Sequence, residues 1–170
     1  MRRSMTHDAD GSPKPPRGLG FQPSLKGRAL RLLSQREHSR QELERKLRPF
    51  ETEPGELAQA LDFLQAKDFI NEQRVVESVV NRRASKLGAS RVRQELQAKG
   101  LAPEAVSEAL QGLRETELAR AREVWRKKFG APPADANERA KQIRFLVSRG
   151  FAPEAVRRVV SGADELPDGE

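Results

Sequence analysis

Two histidines and no cysteine narrow the chemistry open to this 170-residue chain. His7 falls in a leader rich in Pro and Gly, and His38 in a turn between two helical segments, so no histidine pair stands ready for metal or base work. Without cysteine there is no disulfide framework and no thiolate metal site. No Gly-rich loop followed by Lys and Ser or Thr is present to cradle a phosphate. The carboxylates Glu42 and Glu95 read as first-turn residues of helices, where capping accounts for them. Catalytic residues, metal ligands and cofactor sites are therefore not expected.

The remaining chemistry is that of cations and one aromatic. Lys and Arg number 32 against 25 Asp and Glu, a formal charge of +7, which suits a polyanionic partner or an acidic protein surface. The excess is uneven. Residues 24–70 hold 9 basic and 8 acidic residues, 71–113 hold 7 and 5, and 114–161 hold 12 and 6. The candidate contacts therefore come from the second and third stretches: Arg82, Lys86, Arg91, Arg93, Arg126, Lys127, Lys141, Arg144, Phe145 and Arg149. A solvated helix face explains any one of these cations taken singly. Arg126-Lys127-Lys128 also closes a helix, where positive charge favours the dipole. Phe145 lies opposite the expected inward stripe Ala136, Ala140, Ile143, Val147. It either packs against a second neighbour or stands beside Lys141 and Arg144 for stacking or docking. Arg83 falls inside an apolar stripe and reads as a snorkelling or paired arginine, and Trp125 reads as core.

The elements that must carry these residues are helices. Gly100-Leu101-Ala102-Pro103-Glu104-Ala105-Val106 returns as Gly150-Phe151-Ala152-Pro153-Glu154-Ala155-Val156. Each copy reads as a boundary at which Gly ends one helix in the left-handed conformation and Pro opens the next, with an apolar residue filling the corner. Repetition of such a boundary means stacked supersecondary units. The spacing predicts an all-α protein of three-helix units in an extended array: a disordered leader over 1–23, repeats over 24–70, 71–113 and 114–161, and an acidic flexible tail over 162–170. In the leader only Leu19 and Phe21 are sizeable hydrophobes, suited to docking on the first repeat.

Within repeat one, Ser24 caps a helix with Leu25, Ala29, Leu32 and Leu33 inward. Ser39-Arg40-Gln41-Glu42 is a capping box ahead of Leu43 and Leu47, and Pro54 opens a helix with Leu57, Leu61 and Leu64 inward. Repeat two begins at Asn71, with Val76, Val79, Val80 and Leu87 inward to Gly88. Ser90 caps the next helix, with Val92 and Leu96 inward, and Val106, Ala109, Leu110 and Leu113 follow. Repeat three has Leu118, Ala121, Trp125 and Phe129, then a helix capped by Asp135, then Val156, Val159 and Val160. No run is long and apolar enough to span a membrane, and the N-terminus lacks the apolar core of a signal peptide, so a cytoplasmic protein is expected; a monomer is expected as well.

This order of features resembles the RecX family, bacterial regulators of the RecA recombinase. The resemblance rests on Ala29-x-x-x-Leu33-x-x-Arg36-Glu37-x-Ser39-x-x-Glu42-Leu43-x-x-Lys46-Leu47, on Gly88-x-x-Arg91-Val92-x-x-Glu95-Leu96-x-x-Lys99-Gly100, and on Arg144-Phe145-Leu146-x-x-Arg149-Gly150-Phe151. One junction departs: where the family usually has Gly and a pair of acids followed by Phe-Ala, this chain has Lys67-Asp68-Phe69-Ile70-Asn71-Glu72-Gln73-Arg74-Val75-Val76. The resemblance implies three tandem three-helix repeats in an elongated, curved array, and binding in the groove of the RecA filament on single-stranded DNA with stoichiometric suppression of its ATPase, strand-exchange and co-protease activities. Single- or double-stranded DNA is a further expected partner. The rival reading is a basic helical protein that binds DNA directly without a recombinase.

Overall fold

A computed structural model describes residues 22–162; the leader contacts expected of Leu19 and Phe21 and the acidic tail lie outside them. The described residues form eight α-helices and no strand: α1 Leu25–Gln35, α2 Arg40–Leu47, α3 Glu56–Ala66, α4 Glu72–Arg83, α5 Ala89–Ala98, α6 Pro103–Lys128, α7 Ala136–Ser148 and α8 Pro153–Ser161. A 3-10 turn at Arg48–Phe50 follows α2.

Local chemistry sets most of the boundaries. Ser24 accepts from the Gly27 amide, Asn71 from Arg74 and Asp135 from Glu138, each satisfying a first-turn donor. The Ser39–Glu42 capping box is complete in both directions. Pro103 and Pro153 open α6 and α8, and Gly100 and Gly150 take φ of +69° and +87°. Two caps differ from expectation. Helix α3 begins after Gly55 rather than at Pro54, because Gly55 at φ +85° turns the chain and the Glu51 carboxylate accepts from the Leu57 amide. Helix α5 has no side-chain cap from Ser90; its first amides are satisfied by the neighbouring repeat.

The apolar residues gather into three clusters. Leu25, Ala29, Leu43, Leu47, Leu57, Leu61 and Leu64 fill the first; Val75, Val76, Val79, Val92, Leu96, Val106, Leu110 and Leu113 the second; Ala121, Leu146, Phe151, Val156, Val159 and Val160 the third. Units two and three share a helix. Helix α6 runs unbroken through 113 and 114, where a boundary was expected, and gives its first half to the second core and its second half to the third. No Pro interrupts it, and Gly112 is exposed, a helix-interior glycine that costs only about 1 kcal/mol.

Helix α7 is rotated from its expected stripe. Ala136 and Val147 are exposed, and the buried positions are Gln142 and Leu146. Gln142 is tolerated inside because Trp125 Nε1 donates to its carbonyl at 2.8 Å and its own amide donates to Ala131 O at 3.2 Å. A polar core residue of this kind is invisible to hydrophobic spacing. Trp125 packs against the third core as expected.

Candidate binding groove

The repeats meet through a recurring contact that positions everything else. The N-terminus of α2 sits on the last turn of α5, where Ser39 Oγ donates to Lys99 O at 2.6 Å. The N-terminus of α5 sits on the end of α7: the Gly88 amide donates to Arg149 O at 2.8 Å and the Ser90 amide to Gly150 O at 3.3 Å. The second helices of successive units thus stack head to tail, positive dipole end on negative. Side chains hold the first junction. Glu42, buried, accepts from Arg36 at 3.1 Å and from Lys99 Nζ at 2.7 Å, and Arg74 reaches Glu37 at 2.9 Å. Burial pushes the Glu42 carboxyl up, but hydrogen bonds from Arg36, Lys99 and the Ser39 amide overcome this and hold its pKa at about 2. His38 is buried beside it; Nδ1 lies 3.0 Å from Arg36 O and Nε2 3.3 Å from Lys46 Nζ, so Nδ1 carries the proton and Nε2 accepts. Burial lowers the His38 pKa.

The departing junction folds around Asp68, which takes φ +63°. Its carboxylate accepts from Asn71 Nδ2 at 2.7 Å and Arg74 Nη1 at 2.9 Å, and Arg74 Nη2 also donates to Asp68 O at 2.6 Å. Asp68 thereby occupies a left-handed position with the support of local hydrogen bonds.

At the second junction a groove of about 340 Å³ opens, lined by Ser85 and Lys86 from the α4–α5 turn, Val124, Lys127 and Lys128 from α6, and Phe145 and Arg149 from α7. The Arg149 guanidinium lies 4.9 Å and Lys128 Nζ 5.6 Å from the Phe145 ring centroid, and Phe129 meets that ring edge-on at 5.4 Å. The floor is apolar and the rim carries four cations, an arrangement suited to an anionic partner that also buries an apolar or planar group.

Four of the ten sequence candidates line this groove: Lys86, Lys127, Phe145 and Arg149. The others lie elsewhere. Arg82 shares Glu95 with Arg83, at 3.3 and 2.9 Å, so Arg83 is paired as expected. Glu95 lies in the second half of α5 and serves as that ion-pair partner rather than as a first-turn cap. Arg91 is structural: its Nε donates to Ser148 O at 3.1 Å at the second junction. Arg93 lines a separate cleft with Leu101, Val106 and Arg114. Arg126 pairs with Glu123 along its own helix at 2.7 Å, and Lys127 lies 3.7 Å from the same carboxylate. Lys141 lines a small cleft with Phe129, Pro132 and Gln142, and Arg144 is exposed. Phe145 is therefore flanked by Lys128 and Arg149 instead of Lys141 and Arg144, a consequence of the rotation of α7.

Sequence reasoning missed Lys128 as a candidate, although it sat in a visible basic run. It also missed Glu117 and Arg120, for which no local signal exists. Their partners are distant in the chain: Ala89 donates to Glu117 at 3.0 Å, and Arg120 donates to Ala84 O and Leu87 O at 2.9 and 2.7 Å. Among the described residues no group of three or more His, Asp or Glu is placed to hold a metal ion, and no helix is long and apolar enough to cross a membrane.

These features define an all-helical repeat protein of three stacked three-helix units with a basic groove at its second junction. The described RecX three-helix domains match it in order, the first over residues 26–64, the second over 71–110 and the third over 115–160. The regulatory protein RecX of Leptothrix cholodnii is 55% identical over 145 residues, covering 85% of this chain and 92% of that protein. RecX of Ralstonia nicotianae is 49% identical, with 85% and 91% covered. The crystal structure of RecX from Lactobacillus salivarius superposes with a TM-score of 0.65 at 21% identity over 84% of this chain and 96% of that one. The chain belongs to the RecX family of regulatory proteins.

Proposed function

We propose that this protein regulates by binding alone, attaching to the RecA recombinase filament on single-stranded DNA and inhibiting its ATPase, strand-exchange and co-protease activities in DNA repair and the SOS response. Family membership supports a regulatory role, and homologues named as regulators favour a protein without catalysis of its own. The observation that carries the reading to particular residues is the groove of Lys86, Lys127, Lys128 and Arg149 around Phe145. A binder favours whichever state of its target it holds more tightly. A rigid array of repeats lying across neighbouring recombinase subunits would resist the movements of their ATPase cycle. The protein acts in the cytoplasm as a monomer.

A second reading is direct binding to DNA, favoured by the cations grouped around an aromatic ring. Equilibrium binding to preformed filaments and to bare single-stranded DNA, across salt, separates the two. If the four groove cations met only phosphates, affinity for single strands would fall roughly fiftyfold between 50 and 200 mM salt. We expect filament binding to persist at 200 mM salt where binding to bare DNA is lost. Equal salt slopes and equal affinities for filament and bare DNA would refute the filament reading.

A further inference from the structure

The turn that carries Lys86 is held from outside its own unit as well as from within it. Helix α4 ends at Arg83, and the chain reaches α5 through Ala84, Ser85, Lys86, Leu87 and Gly88. Within the turn, the Lys86 and Leu87 amides both donate to Arg83 O at 2.9 Å. The carbonyls of Ala84 and Leu87 point instead at α6. There a single guanidinium, that of Arg120, donates to both, at 2.9 and 2.7 Å, to Leu113 O at 2.8 Å and through Nε to Thr116 Oγ1 at 3.0 Å. One residue past the turn, the Ala89 amide donates to the buried Glu117, one helical turn from Arg120 on the same helix. Burial lowers the Arg120 pKa, opposed by the charge of Glu117.

This placement is specific. Arginine spreads its donors over a fixed planar fork, so Nη1 can grip both ends of the turn while Nη2 and Nε anchor the same side chain to α6, whereas all of lysine's donors sit on one nitrogen. Arg120 does not itself line the groove. Lys127, nearly two turns further along the same helix, does, together with Lys128. Helix α6 thus supplies two of the groove's four cations directly and, through Arg120, fixes the turn by which unit two adds Lys86 to them.

We propose that Arg120 is the positioning residue of the groove: it makes the site a composite of units two and three by setting Lys86 beside Lys127, Lys128 and Arg149, where an anionic partner would meet all four charges together. The inference rests on the groove being the filament-binding surface.

The test combines binding with a readout of the turn itself. Affinity for preformed recombinase filaments on single-stranded DNA is measured for K86Q, R120Q, R120K and the double variant K86Q/R120Q. Amide hydrogen exchange at Lys86 and Leu87 is followed in the free proteins. K86Q should weaken binding roughly three- to fivefold, the size expected of one exposed charge. R120Q should lose about as much although it touches no partner, and the double variant should be no weaker than R120Q. R120K should fall between parent and R120Q, and it serves as the folded substitute if R120Q does not fold. Exchange at Lys86 and Leu87 should quicken in both Arg120 variants. Unchanged exchange would overturn the positioning role whatever the affinities do. Losses from K86Q and R120Q that multiply in the double variant would overturn the link between the two residues. Quickened exchange with K86Q binding like the parent would show that Arg120 holds the turn but that the groove is not the filament surface.

Discussion

Substituting glycines one at a time separates what the backbone needs from what the unit junctions need. Gly88 has φ −77° and ψ 166°, a conformation open to any residue, so alanine there brings no backbone strain. Its Cβ would nevertheless run into the backbone of Gly150 and Phe151. Backbone cannot swing aside, so the junction between α5 and α7 must open, stretching the Gly88–Arg149 hydrogen bond of 2.8 Å. Overpacking of this kind costs about 1–3 kcal/mol. Gly150→Ala should cost more, because φ +87° adds about 1 kcal/mol to a Cβ that would press on the Arg91 backbone nitrogen at 2.6 Å. At Gly100, also in the left-handed region, the obstacle is mainly the movable end of Gln41, so the cost should approach the backbone share alone, about 1 kcal/mol. Gly112, exposed in α6 with nothing near its Cβ position, is the control, and alanine there should stabilise by up to about 1 kcal/mol. Urea unfolding gives the order: Gly150→Ala least stable, then Gly88→Ala, then Gly100→Ala, with Gly112→Ala above the parent. Gly88→Ala unfolding at the parent's midpoint would refute the head-to-tail stacking of α5 on α7.

Three further outcomes follow from the same geometry. Because the Glu42 pKa is depressed from 4.5 to about 2, its contribution, at most about 3 kcal/mol, is complete above pH 4.5 and lost as pH falls toward 2; the lowered pKa of His38 adds a loss beginning below its ordinary 6.5. Glu42→Gln should flatten the lower of these two steps in a pH series of urea midpoints, and a step left intact would reassign it. Asp68→Ala should destabilise by about 1 kcal/mol, since it keeps the strained φ of +63° but gives up the hydrogen bonds to Asn71 and Arg74, whereas Asp68→Gly should recover part of that loss in the same unfolding assay. Reversing Lys127 and Arg149 together should weaken filament binding at low salt more than reversing Lys141 and Arg144, which lie outside the groove; the opposite ranking would place the contact on the outer face of α7.

The fold was legible because its signals are local. Capping residues at Ser24, Ser39 and Asp135, prolines at the starts of α6 and α8, and glycines at φ +69° and +87° each act within a few residues. What escaped depended on partners far along the chain. Gly88 and Ser90 could be seen as a helix boundary, but not that α5's amides would be satisfied by Arg149 and Gly150. Buried Gln142 turned α7 away from its apolar stripe because its partner, Trp125, lies on another helix. The unbroken α6 was missed because two stripes facing different cores look like two helices. Of the candidate contacts, charge balance pointed to units two and three, and the structure brings Lys86, Lys127, Phe145 and Arg149 together there. It could not distinguish them from Arg91 and Arg126, which the fold occupies in a backbone hydrogen bond and an intrahelical pair.

Titrating the protein into preformed recombinase filaments, following ATP hydrolysis and recovering the DNA for sizing, addresses most directly whether it regulates by binding through this groove. Hydrolysis should fall with the ratio of this protein to recombinase or to filament ends, the DNA should be recovered intact, and the Lys127→Glu/Arg149→Glu variant should need severalfold more protein for the same inhibition. Cleaved DNA, complete inhibition at trace amounts with chemically altered recombinase, or equal potency of the charge-reversed variant would contradict the account.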